Sequence, residues 1–123
     1  MRFVATVRVD EVAAAHVLPG YPGPCARMHG HNWGFEVEIG ADALADDMVV
    51  DFAAVKAVFR AIDHTCLNDD AEIVADGHRP TCERLAEVLA HRMQRMLDGL
   101  PNRPRLLRLA VRETPRNEVT YRP

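Results

Sequence analysis

His29-Gly30-His31 sets two imidazoles one residue apart. In an extended strand successive side chains alternate between faces, so both rings point to the face shared by Trp33 and Phe35. Two neutral imidazoles aimed at one point are half of a zinc site. His16 lies at the far end of an earlier strand-like segment, and antiparallel pairing of the two segments returns it toward His29 and His31. Three histidines leave a zinc ion one open position, the pattern of a catalytic site rather than a structural one closed by four protein ligands. An isolated His-x-His is more often a pair of ordinary surface or hydrogen-bonded histidines. The third histidine, with a cysteine four positions before His29, shifts the reading to metal.

That cysteine, Cys25, ends a segment rich in proline and glycine, Pro19-Gly20-Tyr21-Pro22-Gly23-Pro24. Two roles are open to it. It can be a fourth ligand, or a thiolate whose pKa is lowered by zinc and Arg27 and which abstracts a proton from, or attacks, a substrate on the metal. Asp63-His64 is an acid–base pair by composition, but adjacent residues on a helix do not face each other, so by itself it reads as a helix-end feature. If His64 turns toward Cys25 while Asp63 orients a polar partner, the three share a proton in the manner of an activated thiol. Glu113 follows Leu107, Leu109 and Val111 in the same parity, which turns it inward, where an unpaired carboxylate is expensive. Either it is solvated at the strand end or it awaits a cationic or amide-like ligand edge. Cys66 and Cys82 read as small buried hydrophobes.

The elements that must position these groups follow from periodicity. Phe3 to Asp10 alternates as a half-buried strand, with Phe3, Ala5, Val7 and Val9 on one face. A second alternation sets Trp33, Phe35, Val37 and Ile39 against Gly34, Glu36 and Glu38 and stops near Gly40. Asp51 caps a helix with Val55, Val58, Phe59 and Ile62 on one stripe, ending close to Asp63-His64. Another helix opens after Pro80, capped by Thr81, and Leu85, Leu89, Met93, Met96 and Leu100 keep its stripe until Gly99 and Pro101. Two last strands carry Leu107 to Glu113 and Val119 to Tyr121. The order β-β-α-α-β-β, with no crossover helix between adjacent strands, predicts antiparallel hairpins packed on two helices, an α+β fold.

The chain has 123 residues, is 48% hydrophobic and carries a net charge of -3, which excludes disordered, collagen-like and membrane classes and predicts one domain over 1–123. Fifteen basic residues against eighteen acidic ones, with no Lys/Arg run among aromatics, leave no electrostatic footprint for nucleic acid. Charges interrupt the apolar residues of Met1–Asp10, so no signal-peptide core or membrane span is expected there. Three cysteines without a CxxC pair fit a reducing compartment. The expected location is the cytoplasm.

Ala14-Ala15-His16, Cys25-Ala26-Arg27-Met28-His29-Gly30-His31-Asn32-Trp33, Met48-Val49-Val50-Asp51-Phe52, Asp63-His64-Thr65-Cys66-Leu67-Asn68, Pro80-Thr81-Cys82-Glu83 and Glu113-Thr114 together resemble the 6-pyruvoyl-tetrahydropterin synthase and 6-carboxy-tetrahydropterin synthase family over nearly the whole chain. The resemblance implies the tunnelling fold (T-fold), an antiparallel four-stranded sheet with two helices on one face. It implies a lyase acting on 7,8-dihydroneopterin triphosphate, with Zn²⁺ on His16, His29 and His31, where the metal lowers the pKa of substrate hydroxyls. Cys25 would be the proton acceptor, Asp63 and His64 its relay, and Glu113 the group that binds the pterin edge, also assigned to the relay. Thr81 and Glu83 fall where the family contacts pterin, partly across a subunit boundary, and the family forms trimeric barrels that pair as hexamers.

Val12, Ala15, Ala26 and Arg84 depart from the family's usual aromatic, serine, glycine and asparagine. These departures touch substrate detail rather than the ligand set. Cys25 argues against the branch that carries glutamate there. The expected activity is that of a 6-carboxy-5,6,7,8-tetrahydropterin synthase of the 7-deazaguanine (queuosine-type) pathway. The alternatives are a 6-pyruvoyl-tetrahydropterin synthase and a non-catalytic pterin- or purine-binding homologue.

Overall fold

The computed structural model describes residues 1–123. Its strands are β1 (Phe3–His16), β2 (His29–Ala41), β3 (Thr65–Cys66), β4 (Arg105–Thr114) and β5 (Asn117–Tyr121), and its helices α1 (Phe52–Arg60) and α2 (Cys82–Asp98). The sheet order is β3-β1-β2-β4-β5. The α+β class and its four antiparallel strands are as expected, but the sheet has a fifth strand. Thr65–Cys66 pairs in parallel with Ala14–Ala15, and two residues are too few to leave an alternation in the sequence.

Both long strands run further than their alternation does, and the reason is local. Val9 pairs with Phe35 and Val12 with Trp33, so β1 spends one residue more than β2 over that interval. The extra residue is a bulge with Glu11 in the left-handed region at φ 59°. A bulge reverses parity, so Val7 and Val9 before it and Val12, Ala14 and His16 after it are all buried on one face. A shift between Glu38 and Ile39 acts likewise on β4, where Leu106 takes the inward position and Leu107, expected inward, is half-buried.

The helices cover that inward face. Asp51 accepts the Ala53 N–H (2.9 Å) and Thr81 the Arg84 N–H (3.1 Å), capping α1 and α2 as their sequences predict. Leu85, Leu89, Met93 and Leu97 of α2 and Val55 and Phe59 of α1 are buried with Phe35, Val37 and Ile39. Phe59 stacks on Phe35 at 4.6 Å between centroids and is fully buried. Phe59→Ala should destabilise the fold by about 3–5 kcal/mol, from lost transfer energy and an unfilled cavity. Urea titration should show a lower midpoint at unchanged slope, and a midpoint like wild type would mean the site collapses.

The opposite face of the sheet carries charges and no helix. Arg8 pairs with Glu36, Arg108 with Glu36 and Glu38, and Arg112 with Asp10 (3.0 Å) and Glu118 (3.4 Å). Hydrogen bonds from Arg108 and Arg8 hold the Glu36 carboxyl below its ordinary pKa, against some desolvation.

Candidate metal centre

Strand register gathers the three histidines. His16 pairs with His29 and Ala14 with His31, and directly opposed residues of antiparallel strands share a face. Ring centroids are 4.5 Å apart for His16–His29, 4.9 Å for His29–His31 and 5.2 Å for His16–His31. Trp33 forms the floor, 5.3 Å from the His16 ring and 5.4 Å from the His31 ring, and its Nε1 donates to the Ala14 carbonyl at 3.1 Å.

Backbone carbonyls settle the tautomers. His16 Nδ1 donates to the Pro80 carbonyl and His29 Nδ1 to the Arg27 carbonyl, both at 2.7 Å. A carbonyl only accepts, so Nδ1 carries the hydrogen, and in the neutral ring Nε2 keeps its lone pair. His16 Nε2 and His31 Nε2 are buried with no hydrogen-bond partner. Glu113 Oε1 stands 3.2 Å and 3.5 Å from these two atoms. These are short contacts without hydrogen-bond alignment.

Burial lowers the His31 pKa, Glu113 opposes this, and the neighbouring His16 and His29 lower it further. In the neutral His16 ring, whose Nδ1 carries the hydrogen, the Nε2 lone pair confronts the Glu113 carboxylate at 3.2 Å. A cation at the convergence point removes that repulsion. One nitrogen from each ring and one Glu113 oxygen all lie within 4.8 Å of one another, a donor set suited to a divalent metal that favours imidazole nitrogen.

The other site residues expected from the sequence are placed less uniformly. Cys25 is a half-buried free thiol in the short 3₁₀ turn Pro24–Ala26. Its loop is closed by Leu18 N–H donating to the Cys25 carbonyl (2.8 Å) and by Arg79 lying 5.8 Å over the Tyr21 ring. The fourth donor gathered with the histidines is Glu113 and not Cys25.

Asp63 and His64 do meet, contrary to the helix-end reading. The chain has left α1, and His64, at φ 60°, brings Nδ1 to 3.1 Å from Asp63 Oδ1. They sit on the open side of β1, where Asp63 accepts the Ala13 N–H at 2.8 Å and His64 N–H donates to the Ala13 carbonyl at 2.6 Å. The Ala13 bond holds the Asp63 carboxyl below its usual pKa, desolvation opposes it and His64 adds to it. The His64 side chain is 84% exposed, so within one chain it faces solvent.

Thr81 and Glu83 line an open polar cleft of about 330 Å³ with His78, Arg79, Arg84 and Glu87. The Thr81 hydroxyl is occupied in capping α2, and Glu83 is exposed. Of the departures from the resemblance, Val12 is core, Ala15 is half-buried and Ala26 is exposed. Cys66 and Cys82, expected to be buried, are half-buried free thiols. Cys82 packs against the core with its Sγ 3.5 Å from the Val111 carbonyl, and desolvation pushes its thiol up to about 12.

Sequence reasoning missed two groups that orient the ligands. The Pro80 carbonyl leaves no trace in a sequence, since every residue has one. Asn68 belongs to the quoted Leu67-Asn68 motif, which marked it without a role.

A family model described as 6-pyruvoyl tetrahydropterin synthase matches residues 6–123. The chain belongs to the 6-pyruvoyl tetrahydropterin synthase family. It is an enzyme, a lyase of that family with the family's T-fold. A 6-carboxy-5,6,7,8-tetrahydropterin synthase of Bacillus subtilis is 35% identical over 117 residues, covering 91% of this chain and 80% of that protein. Another, of Aquifex aeolicus, is 27% identical over 122 residues, covering 80% and 75%. The solved structure of Caenorhabditis elegans 6-pyruvoyl tetrahydropterin synthase superposes with a TM-score of 0.74 at 25% identity, covering 98% of this chain and 96% of that one.

Proposed function

We propose that the chain is a zinc-dependent lyase that converts 7,8-dihydroneopterin triphosphate to 6-carboxy-5,6,7,8-tetrahydropterin, in the 7-deazaguanine pathway of the cytoplasm. The observation that carries this reading is the convergence of His16, His29 and His31 with tautomers that leave Nε2 free. The Bacillus subtilis and Aquifex aeolicus relatives carry the 6-carboxy name, which supports this product over its neighbours. Zinc, when bound, acidifies the substrate's side-chain hydroxyls and stabilises the negative charge that develops there.

The remaining steps belong to side chains. Cys25 accepts a proton, held on its approach by the closed proline loop. His64, paired with Asp63, takes that proton onward, and its exposure fits a site completed by a neighbouring subunit. Glu113 holds the amide-like edge of the pterin, and its place beside the histidine nitrogens also fits a part in the proton relay. Thr81 and Glu83, in the polar cleft, supply further pterin contacts, partly across a subunit boundary. A trimeric or hexameric assembly fits two further features: the helix-free charged face, and the edges left open by β5 and by most of β1. No helix is long and apolar enough to cross a membrane.

The second reading, a 6-pyruvoyl-tetrahydropterin synthase, is favoured by the likeness to the Caenorhabditis elegans structure. Incubating zinc-loaded protein with 7,8-dihydroneopterin triphosphate separates the two. Acetaldehyde with the carboxy-pterin is the expected result, and pyruvoyl-pterin would establish the second reading. Retention of the triphosphate with neither product would overturn both in favour of a non-catalytic binding homologue.

A further inference from the structure

The stretch from Asn68 to Pro80 grips His16 at both of its ends. Asn68 pairs with Val17, the residue after His16, accepting its N–H and donating to its carbonyl, each at 2.9 Å. At the far end the Pro80 carbonyl accepts from His16 Nδ1 at 2.7 Å. Between these grips the backbone forms only short turns and joins no strand of the sheet. Ile73, fully buried in the core, anchors its middle, and side chains of α2 tie down its backbone and its carboxylates.

Three arginines of that helix do so, one of them differently. Arg92 reaches the Asp70 (2.6 Å) and Glu72 (2.8 Å) carboxylates, and Arg95 also reaches Glu72 (3.0 Å). Arg84 instead donates Nε to the Ile73 carbonyl and Nη2 to the Glu72 carbonyl, both at 2.8 Å, with Nη1 on Glu87 at 2.6 Å. Its side chain is only 15% exposed. A rigid planar fork spanning two successive carbonyls fixes backbone, which a pair between flexible side chains does not. The Arg84 N–H is also the amide that Thr81 caps. The same residue thus holds both ends of the 73–81 loop that presents the Pro80 carbonyl.

We propose that Arg84 is a positioning residue for the metal centre, holding His16 Nε2 on the convergence point through the Glu72 and Ile73 carbonyls and the Pro80 carbonyl. This rests on the reading of His16 as a ligand. Partners of a ligand's second ring nitrogen set its orientation and tautomer, and their loss typically costs 10- to 100-fold in metal affinity.

Zinc affinity by chelator competition should be compared for wild type, Arg84→Met, Arg84→Lys and Glu87→Gln. Arg84→Met should bind about 10-fold more weakly, near the lower end of that range because it acts one step further out. Arg84→Lys, which reaches one carbonyl at a time, should fall between it and wild type. Glu87→Gln removes only the solvent-side partner and should match wild type. The His16 Nδ1–H, followed by ¹⁵N NMR, should exchange faster in Arg84→Met.

A folded Arg84→Met with wild-type zinc affinity and unchanged exchange overturns the proposal, as does a Glu87→Gln that weakens zinc as much. Should Arg84→Met fail to fold, Arg84→Lys decides in the same way. If wild type itself binds no zinc, the ligand reading fails separately, and the exchange measurement still tests the link from Arg84 to His16.

Discussion

Changing His31 to alanine is expected to empty the metal centre while leaving the fold in place. His31 is the suitable ligand to remove because its side chain keeps 20% exposure, and the structure gives it no bond that holds another element. His16 is 1% exposed and ties the Pro80 carbonyl to the sheet, so its removal would confuse loss of metal with loss of structure. Mutating an outer partner of a ligand costs up to about 100-fold in metal affinity, so deleting the ligand itself should cost more than about 100-fold. Metal analysis after dialysis should find close to one zinc per wild-type chain and close to none in His31→Ala, with thermal denaturation little changed. Undiminished zinc in the variant would sink the three-histidine site.

Cys25→Ala should separate chemistry from metal. With Cys25 as proton acceptor, turnover falls by about 10²- to 10⁴-fold, the usual contribution of a positioned base. Zinc content stays at the wild-type level, because the fourth donor beside the histidines is Glu113. Both quantities are needed. Turnover lost together with zinc would make Cys25 a ligand, and turnover unchanged would remove it from the mechanism.

Much of this site was legible in the linear sequence where a rule of fixed period applies. His29 and His31 share a face because a strand alternates, and the same parity turned Glu113 inward, where it meets His16 and His31. Helix α2, its Thr81 cap and its apolar stripe follow from capping and 3.6-residue periodicity over many residues. The looped approach of Cys25 follows from proline and glycine, and the quoted motifs identified the family. Strand β3 was not legible, since a two-residue parallel pairing has no period to detect.

His16 marks the limit most clearly. It is an even-numbered residue on a strand whose inward positions begin as odd ones, and strict alternation from Val7 and Val9 would send it to the opposite face. Only the bulge at Glu11, a backbone event set by how β1 packs across β2, reverses the parity and delivers it to the metal centre. The meeting of Asp63 with His64 and the Pro80 carbonyl on His16 Nδ1 are of the same kind. Sequence by itself determined which donors this protein has and which face two of its histidines take, because side-chain chemistry and strand period are local. Tertiary structure alone decided how the third histidine reaches them and what holds its ring, because bulges and backbone acceptors depend on partners distant in the chain.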